Sequence, residues 1–259
     1  MKSSPLWLFD FDGVIVDGMP EYWLSSRNAC IELLKGDFLS SDLPVVAPDA
    51  FVQLRPWVKH GWEMVLLTAE LLRKDSYLVT HGALAFSDSY QVQCNESLKA
   101  WNWSPIQLQL ALEDARRIAI DHDKKHWFSM HTPYPWVLKG LDVFSRNHIN
   151  WAVLTTKGRD FASELLDYFQ LNPTLIYGHE DGDKIDVLRK IVSNWDIQGF
   201  VEDRRATLEE VLVSPELSSV PCYLASWGYL KPNHDEYELP KGISLISPET
   251  MSSPLASRL

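Results

Sequence analysis

Apolar residues fall into two textures along this chain. In the first, every position of a short run is apolar. Leu6-Trp7-Leu8-Phe9 ends in Asp10, Trp151-Ala152-Val153-Leu154 runs into Thr155, Thr174-Leu175-Ile176-Tyr177 ends at Gly178, and Gly199-Phe200-Val201 runs into Glu202. Two further runs, 220–224 and 243–246, share that texture. A short run without polar alternation fits a strand covered on both faces, as strands inside a parallel sheet are. In the second texture apolar residues recur every three or four positions. That spacing predicts helices over 136–148, 160–170, 184–195 and 206–213. In the third of these, Ile185, Leu188, Ile191, Val192 and Trp195 form one stripe, and Asp183 stands where an N-cap belongs. Strands alternating with helices of this length imply right-handed βαβ units and a parallel sheet.

The middle of the chain has only the helical texture. Residues 21–35 form one candidate helix. Ser104 followed by Pro105 marks the start of another, a cap and then a proline at the first helical position. Leu108, Ala111, Leu112, Ala115, Ile118 and Ala119 continue it at helical spacing. A lone first strand is therefore separated from the rest of its sheet by a long helical insertion. The expected organisation is an α/β core built from 1–18 and 136–247, a helical module over 19–135, and a C-terminal tail over 248–259. The tail's serines and prolines suggest a frayed end.

Composition narrows the function. The 259 residues carry 24 Lys plus Arg against 35 Asp plus Glu, a formal charge of −11, and 46 % of them are apolar. Such a chain buries a sizeable core, and its acidity disfavours non-specific contact with nucleic acid or anionic membranes. No apolar stretch approaches the roughly 20 residues of a membrane span. The opening run resembles a leader until Asp10 and Asp12 interrupt it. Three scattered cysteines form no metal pattern, so a reducing, cytoplasmic setting is expected. An acidic protein that handles an anionic substrate needs a metal or a few focused cations.

Ligands of an open parallel sheet sit beyond the carboxyl ends of its strands. There the first strand delivers Asp10, Asp12 and Gly13, the second Thr155, Thr156 and Lys157, and the fourth Glu202 and Asp203. The loop after the third leads to Asp183 and Lys184. Acids crowded in this way repel one another unless a cation intervenes, and an all-oxygen donor set suits Mg²⁺.

These residues carry a resemblance. The stretch Leu8-Phe9-Asp10-Phe11-Asp12-Gly13-Val14-Ile15-Val16-Asp17-Gly18 resembles the first motif of the haloacid dehalogenase-like hydrolases. Val153-Leu154-Thr155-Thr156 looks like their second motif, Lys184 their third, and Phe200-Val201-Glu202-Asp203 their fourth. The insertion falls where the family's C1-type helical cap falls. The resemblance implies a Rossmann-like core and a phosphatase with an aspartyl-phosphate intermediate on Asp10. It further implies that Asp12 is general acid and base, and that Thr155, Thr156 and Lys184 bind phosphate. Mg²⁺ would be held by Asp10, Asp203 and the backbone carbonyl of Asp12, with Glu202 holding a metal-bound water. The substrate would be a small phosphorylated metabolite, recognised by the cap. Asp12 argues against a dehalogenase, whose pattern lacks that acid. A phosphomutase keeps it, and a non-catalytic relative that binds a partner through its aromatic cap is the rival from another class.

Other residues read more plainly. Trp23, Trp57, Trp62, Trp101, Trp103 and Trp127 suit the core of the insertion. His122, Asp123, His126 and His131 are too loosely spaced for a metal site and read as a solvated helix end. Arg55, Arg159, Arg204 and Arg205 have no readable role, and Lys157 competes with Lys184 for the phosphate.

Overall fold

The computed structural model describes residues 4–35, 42–232 and 239–253, and the chain divides into two compact units: 1–17 with 132–259, and 18–131. Pro254 and the remainder of the expected tail lie outside the described residues.

The first unit holds a six-stranded sheet in the order β5-β4-β1-β6-β7-β8, with every neighbouring pair parallel. The strands are β1 (Ser4–Phe9), β4 (Trp151–Leu154), β5 (Leu175–Tyr177), β6 (Trp195–Glu202), β7 (Cys222–Ala225) and β8 (Ile243–Ile246). Strand β1 lies inside the sheet, and the residues on its two faces show why it is apolar at every position. Leu6 and Leu8 pack with Ile185 and Leu188 of α9 (Lys184–Val192) and with Leu208 and Val211 of α10 (Arg205–Val213). On the other face, Trp7 and Phe9 meet edge-on the ring of Phe144, from α7 (Pro135–Arg146). Pairing of β1 with β6 shifts register between Leu6 and Trp7, which leaves Gln198 as an extra residue. Next to it, Gly199 makes room for the Trp7 ring, because a Cβ there would lie 2.2 Å from it. The helix α8 (Arg159–Tyr168) completes the unit, burying Phe161, Ala162, Leu165 and Leu166.

Past β1 the chain turns tightly, with Phe11 accepting from the backbone N–H groups of Ile15 and Val16 at 2.8 and 3.0 Å. Strand β2 (Val16–Asp17) then pairs antiparallel with β3 (Thr132–Pro133), so the outgoing and returning chains run side by side.

The second unit is helical: α1 (Met19–Leu34), α2 (Asp49–Leu54), α3 (Gly61–Leu72), α4 (Tyr77–Asp88), α5 (Tyr90–Trp101) and α6 (Pro105–Ser129). Ser104 caps α6 through its hydroxyl, as its place before Pro105 implies. Trp23 and Phe51 pack edge-on inside the unit, and Trp101 and Trp103 stack at its edge. Buried with them is an ion pair, Glu21 with Arg116, at 2.8 Å. Ser25 donates to the same carboxylate, and His131 stands 3.7 Å from it rather than on a solvated helix end.

Two further expectations need correction. Trp195 does not extend the stripe of α9, which ends at Val192, but begins β6. Nor do the described residues fray directly after Ser247. The hydroxyl of Ser247 caps a short helix, α11 (Pro248–Met251), and Met251 packs against α7, where Gly140 has no side chain to obstruct it.

Candidate functional site

Sheet hydrogen bonding continues one residue past two strand ends. The N–H of Asp10 donates to the Val201 carbonyl at 2.9 Å, and that of Thr155 to the Tyr177 carbonyl at 2.9 Å. These bonds fix where the first acid and the first threonine leave the sheet. Asp10, Asp12, Thr155, Lys157, Glu202 and Asp203 are all buried there. Lys184 joins them from the first position of α9, whose N-terminus Asp183 caps through the N–H of Ile185 at 3.0 Å.

The charges are arranged in two sets. Lys184 Nζ lies 2.9 Å from Asp10 Oδ1 and 2.7 Å from Glu202 Oε2. Lys157 Nζ lies 3.3 Å from Asp12 Oδ1 and 3.4 Å from Asp12 Oδ2. Glu202 also accepts from the N–H of Arg204 at 3.0 Å. Asp203 accepts from the N–H of Tyr229 at 2.8 Å, and the Tyr229 hydroxyl donates to Asp17 at 2.6 Å. Gly13 and Gly228 enclose Asp203. A Cβ on Gly13 would sit 2.1 Å from its Oδ2, and one on Gly228 2.2 Å from its Cβ. Gly13 has φ +90°, the left-handed region that glycine alone enters without cost.

Burial and then the charge of Glu202 raise the Asp10 carboxyl to about 7, against the opposing pull of Lys184. Burial also raises Glu202. For Lys184 burial works downward, yet Asp10 and Glu202 together push its ammonium above its ordinary value. Four acids and two lysines leave two negative charges in excess when all are ionised. Oxygens of Asp10, Glu202 and Asp203 lie within 4.8 Å of one another, a donor set that fits one hard divalent cation such as Mg²⁺. The carboxylate of Asp12 is outside that group and belongs to Lys157.

Of the sequence-derived candidates, Asp10, Asp12, Thr155, Lys184, Glu202 and Asp203 gather at this edge, and Thr156 is half-buried in the same loop. Arg205 pairs with Glu209 at 2.8 Å, away from the acids. Arg159 pairs with Asp181, and Arg204 bonds Thr207 at 3.3 Å. Sequence reasoning missed Gly228 and Tyr229, and it left Lys157 as a competitor of Lys184, whereas the structure sets the two lysines against different acids.

No family model matches the sequence, and no curated protein matches it. Solved structures do match. A predicted phosphatase from Clostridium acetobutylicum is 16 % identical with a TM-score of 0.57, over 99 % of this chain and 100 % of that one. A haloacid dehalogenase-like hydrolase from Streptococcus pneumoniae is 17 % identical with a TM-score of 0.55, over 100 % of this chain and 98 % of the other. A predicted phosphoglycolate phosphatase from Haemophilus somnus is 14 % identical with a TM-score of 0.56, over the whole of both chains. The parallel sheet interrupted after its first strand by a helical unit is thus a fold that this chain shares with these structures, a haloacid dehalogenase-like hydrolase among them.

Proposed function

We propose that this protein is a magnesium-dependent phosphomonoester hydrolase acting on a small phosphorylated metabolite through an aspartyl-phosphate. One observation carries the reading: two acids spaced D-x-D leave one buried strand, each beside a lysine of its own, with Glu202 and Asp203 alongside. Asp10, Glu202 and Asp203 would hold the cation, with the Asp12 carbonyl as the further ligand that the resemblance implies. When bound, the cation supplies positive charge that keeps Asp10 ionised and offsets its repulsion from an incoming phosphate.

In the first step an Asp10 carboxylate oxygen attacks phosphorus. The bond from phosphorus to the ester oxygen breaks, and the protonated carboxyl of Asp12 gives its proton to that leaving oxygen. In the second step Asp12, now a carboxylate, takes a proton from the water that attacks phosphorus. The Asp10–phosphorus bond breaks, inorganic phosphate leaves and Asp10 is regenerated. Thr155 donates its hydroxyl to the phosphoryl group, and Lys184 holds Asp10 in place while adding charge beside that group.

Incubation with a panel of phosphorylated metabolites and Mg²⁺, followed by assay of free phosphate, tests the reading. Release of phosphate that stops in excess chelator and in Asp10→Asn supports it. Return of the phosphoryl group to another oxygen of the same product would make the protein a mutase. No turnover of any substrate, with the protein folded and Mg²⁺ bound, refutes catalysis altogether.

A further inference from the structure

Lys157 lies two residues beyond Thr155 in a loop, yet its side chain is 0 % exposed. A buried ammonium is costly unless it is paired, so its partner should matter. Asp12 is one such partner, with Nζ nearly equidistant from both carboxylate oxygens, at 3.3 and 3.4 Å. The lysine is itself held from both sides along the backbone. Its N–H donates to Thr155 Oγ1 at 3.1 Å, and its carbonyl accepts from the N–H of His179 at 3.2 Å. The turn at His179–Asp181 is braced in turn: Asp181 accepts from the N–H of Gly178 at 2.9 Å, and Glu180 accepts from the N–H of Arg159 at 3.2 Å. Gly178 permits this close approach, since a Cβ there would lie 2.4 Å from the Arg159 nitrogen. The two lysines of the site thus serve different acids, Lys184 the nucleophile and Lys157 its neighbour.

We infer that Lys157 is a positioning residue: its ammonium stands beside both oxygens of Asp12, and when that carboxyl is protonated the ammonium holds the unprotonated oxygen, which turns the O–H toward the leaving oxygen. The inference rests on the proposed role of Asp12. As the ester bond breaks and the Asp10–phosphorus bond forms, the proton on Asp12 moves to the departing oxygen. An alkoxide needs that proton in place, whereas an activated phenolate hardly does. Losing the orientation, with the acid itself retained, should cost the alkyl reaction about 10–100-fold, within the range for a misplaced catalytic group.

The test uses Lys157→Met, which keeps the unbranched stem and removes the ammonium, in the full chain with Mg²⁺. The readout is kcat/KM, which reports steps up to loss of the leaving group, for glycerol 2-phosphate and for p-nitrophenyl phosphate. Their ratio in one preparation does not depend on the fraction of folded protein. The alkyl substrate should lose about 10–100-fold and the aryl substrate no more than a few-fold. Asp12→Asn should show the same split more strongly. The double variant Asp12→Asn/Lys157→Met should be no worse than Asp12→Asn, because Lys157 acts through Asp12. If Lys157→Met lowers both substrates by one factor while Asp12→Asn splits them, Lys157 serves the phosphoryl group or the fold and the inference is overturned. If Asp12→Asn itself produces no split, the role assigned to Asp12 has failed, and the inference built on it falls too.

Discussion

Replacing Gly13 with alanine should disable the acid cluster at a stability cost that can be separated into two parts. The first is backbone strain, because φ at Gly13 is +90°; such a conformation costs a residue with a side chain about 1–3 kcal/mol. The second is overlap. The new methyl would fall 2.1 Å from Asp203 Oδ2 and 2.7 Å from Tyr229 Cδ2, far inside the usual contact of about 3.5–4 Å. Asp203 has little room to retreat, since the backbone of Gly228 lies close on its other side and Tyr229 N–H holds its carboxylate. Overpacking of this kind costs roughly another 1–3 kcal/mol. Gly182→Ala isolates the first part, because φ there is +117° and nothing lies within 4 Å of the position of its Cβ. Urea unfolding with and without Mg²⁺ measures both. Wild type should gain about 2.7 kcal/mol when Mg²⁺ stands at 100 times its Kd. Gly13→Ala should be less stable than Gly182→Ala by the overlap cost and should lose most of the Mg²⁺ gain, while Gly182→Ala keeps it. A Gly13→Ala protein with the full Mg²⁺ response, or one no less stable than Gly182→Ala, would refute the account of how Asp203 is held.

Lys184→Met strips the cation from between Asp10 and Glu202, whose side chains are 11 % and 2 % exposed, and should cost about 3–5 kcal/mol in urea unfolding without added metal. Adding Glu202→Gln to it should recover part of that loss, and no recovery would mean that repulsion between the two acids is not the cause. The folded, cation-free protein holds a proton on Asp10 up to about pH 7, against 3.8 for the ordinary group. Stability from this group is therefore complete below about pH 4 and is lost as the pH rises to about 7. Mg²⁺ competes with that proton, so the rise in Tm that it brings should grow from about pH 5.5 to 8; a pH-independent rise would exclude Asp10 as a ligand. Burial pushes the Cys30 and Cys94 thiols up to about 12 and Cys222 to about 11. Ellman's reagent should thus find no reactive thiol in the folded protein and all three after guanidinium, whereas rapid labelling of the native protein would contradict the burial.

The core strands were legible because burial on both faces removes polar alternation, as Leu6 to Phe9 show. The edges of the pattern were not. The half of β6 that includes Asp196 and Gln198 is polar, and a helical stripe could absorb Trp195 as easily as a strand could. Asp10, Thr155, Lys184, Glu202 and Asp203 could be read because each follows a recognisable strand end or helix start. Tyr229 could not, since it reaches Asp203 through a backbone N–H that every residue except proline carries. For Lys157 the sequence showed a cation near Thr155, but which acid it faces depends on a turn braced by the distant residues 178–181. The helix at Pro248–Met251 did leave a signal: Ser247-Pro248 repeats the cap and proline of Ser104-Pro105. Its four residues were too few to show a period.

Strand β1 precedes both of its sheet neighbours by the whole length of the helical unit. Its partners β4 and β6 belong to the far side of the helical unit in the sequence, so a growing chain completes the entire 18–131 segment before either exists. Until then an apolar ribbon with two open edges waits for its lattice. Such distant pairing makes for slow assembly and for a stretch of synthesis in which the ribbon is open to wrong partners. The helical unit is complete in the sequence by then and can already be ordered. A ribosome stalled before Glu202 and Asp203 have emerged would hold Asp10 without its acid neighbours, and the means to grip a divalent ion would appear only as those last residues arrive.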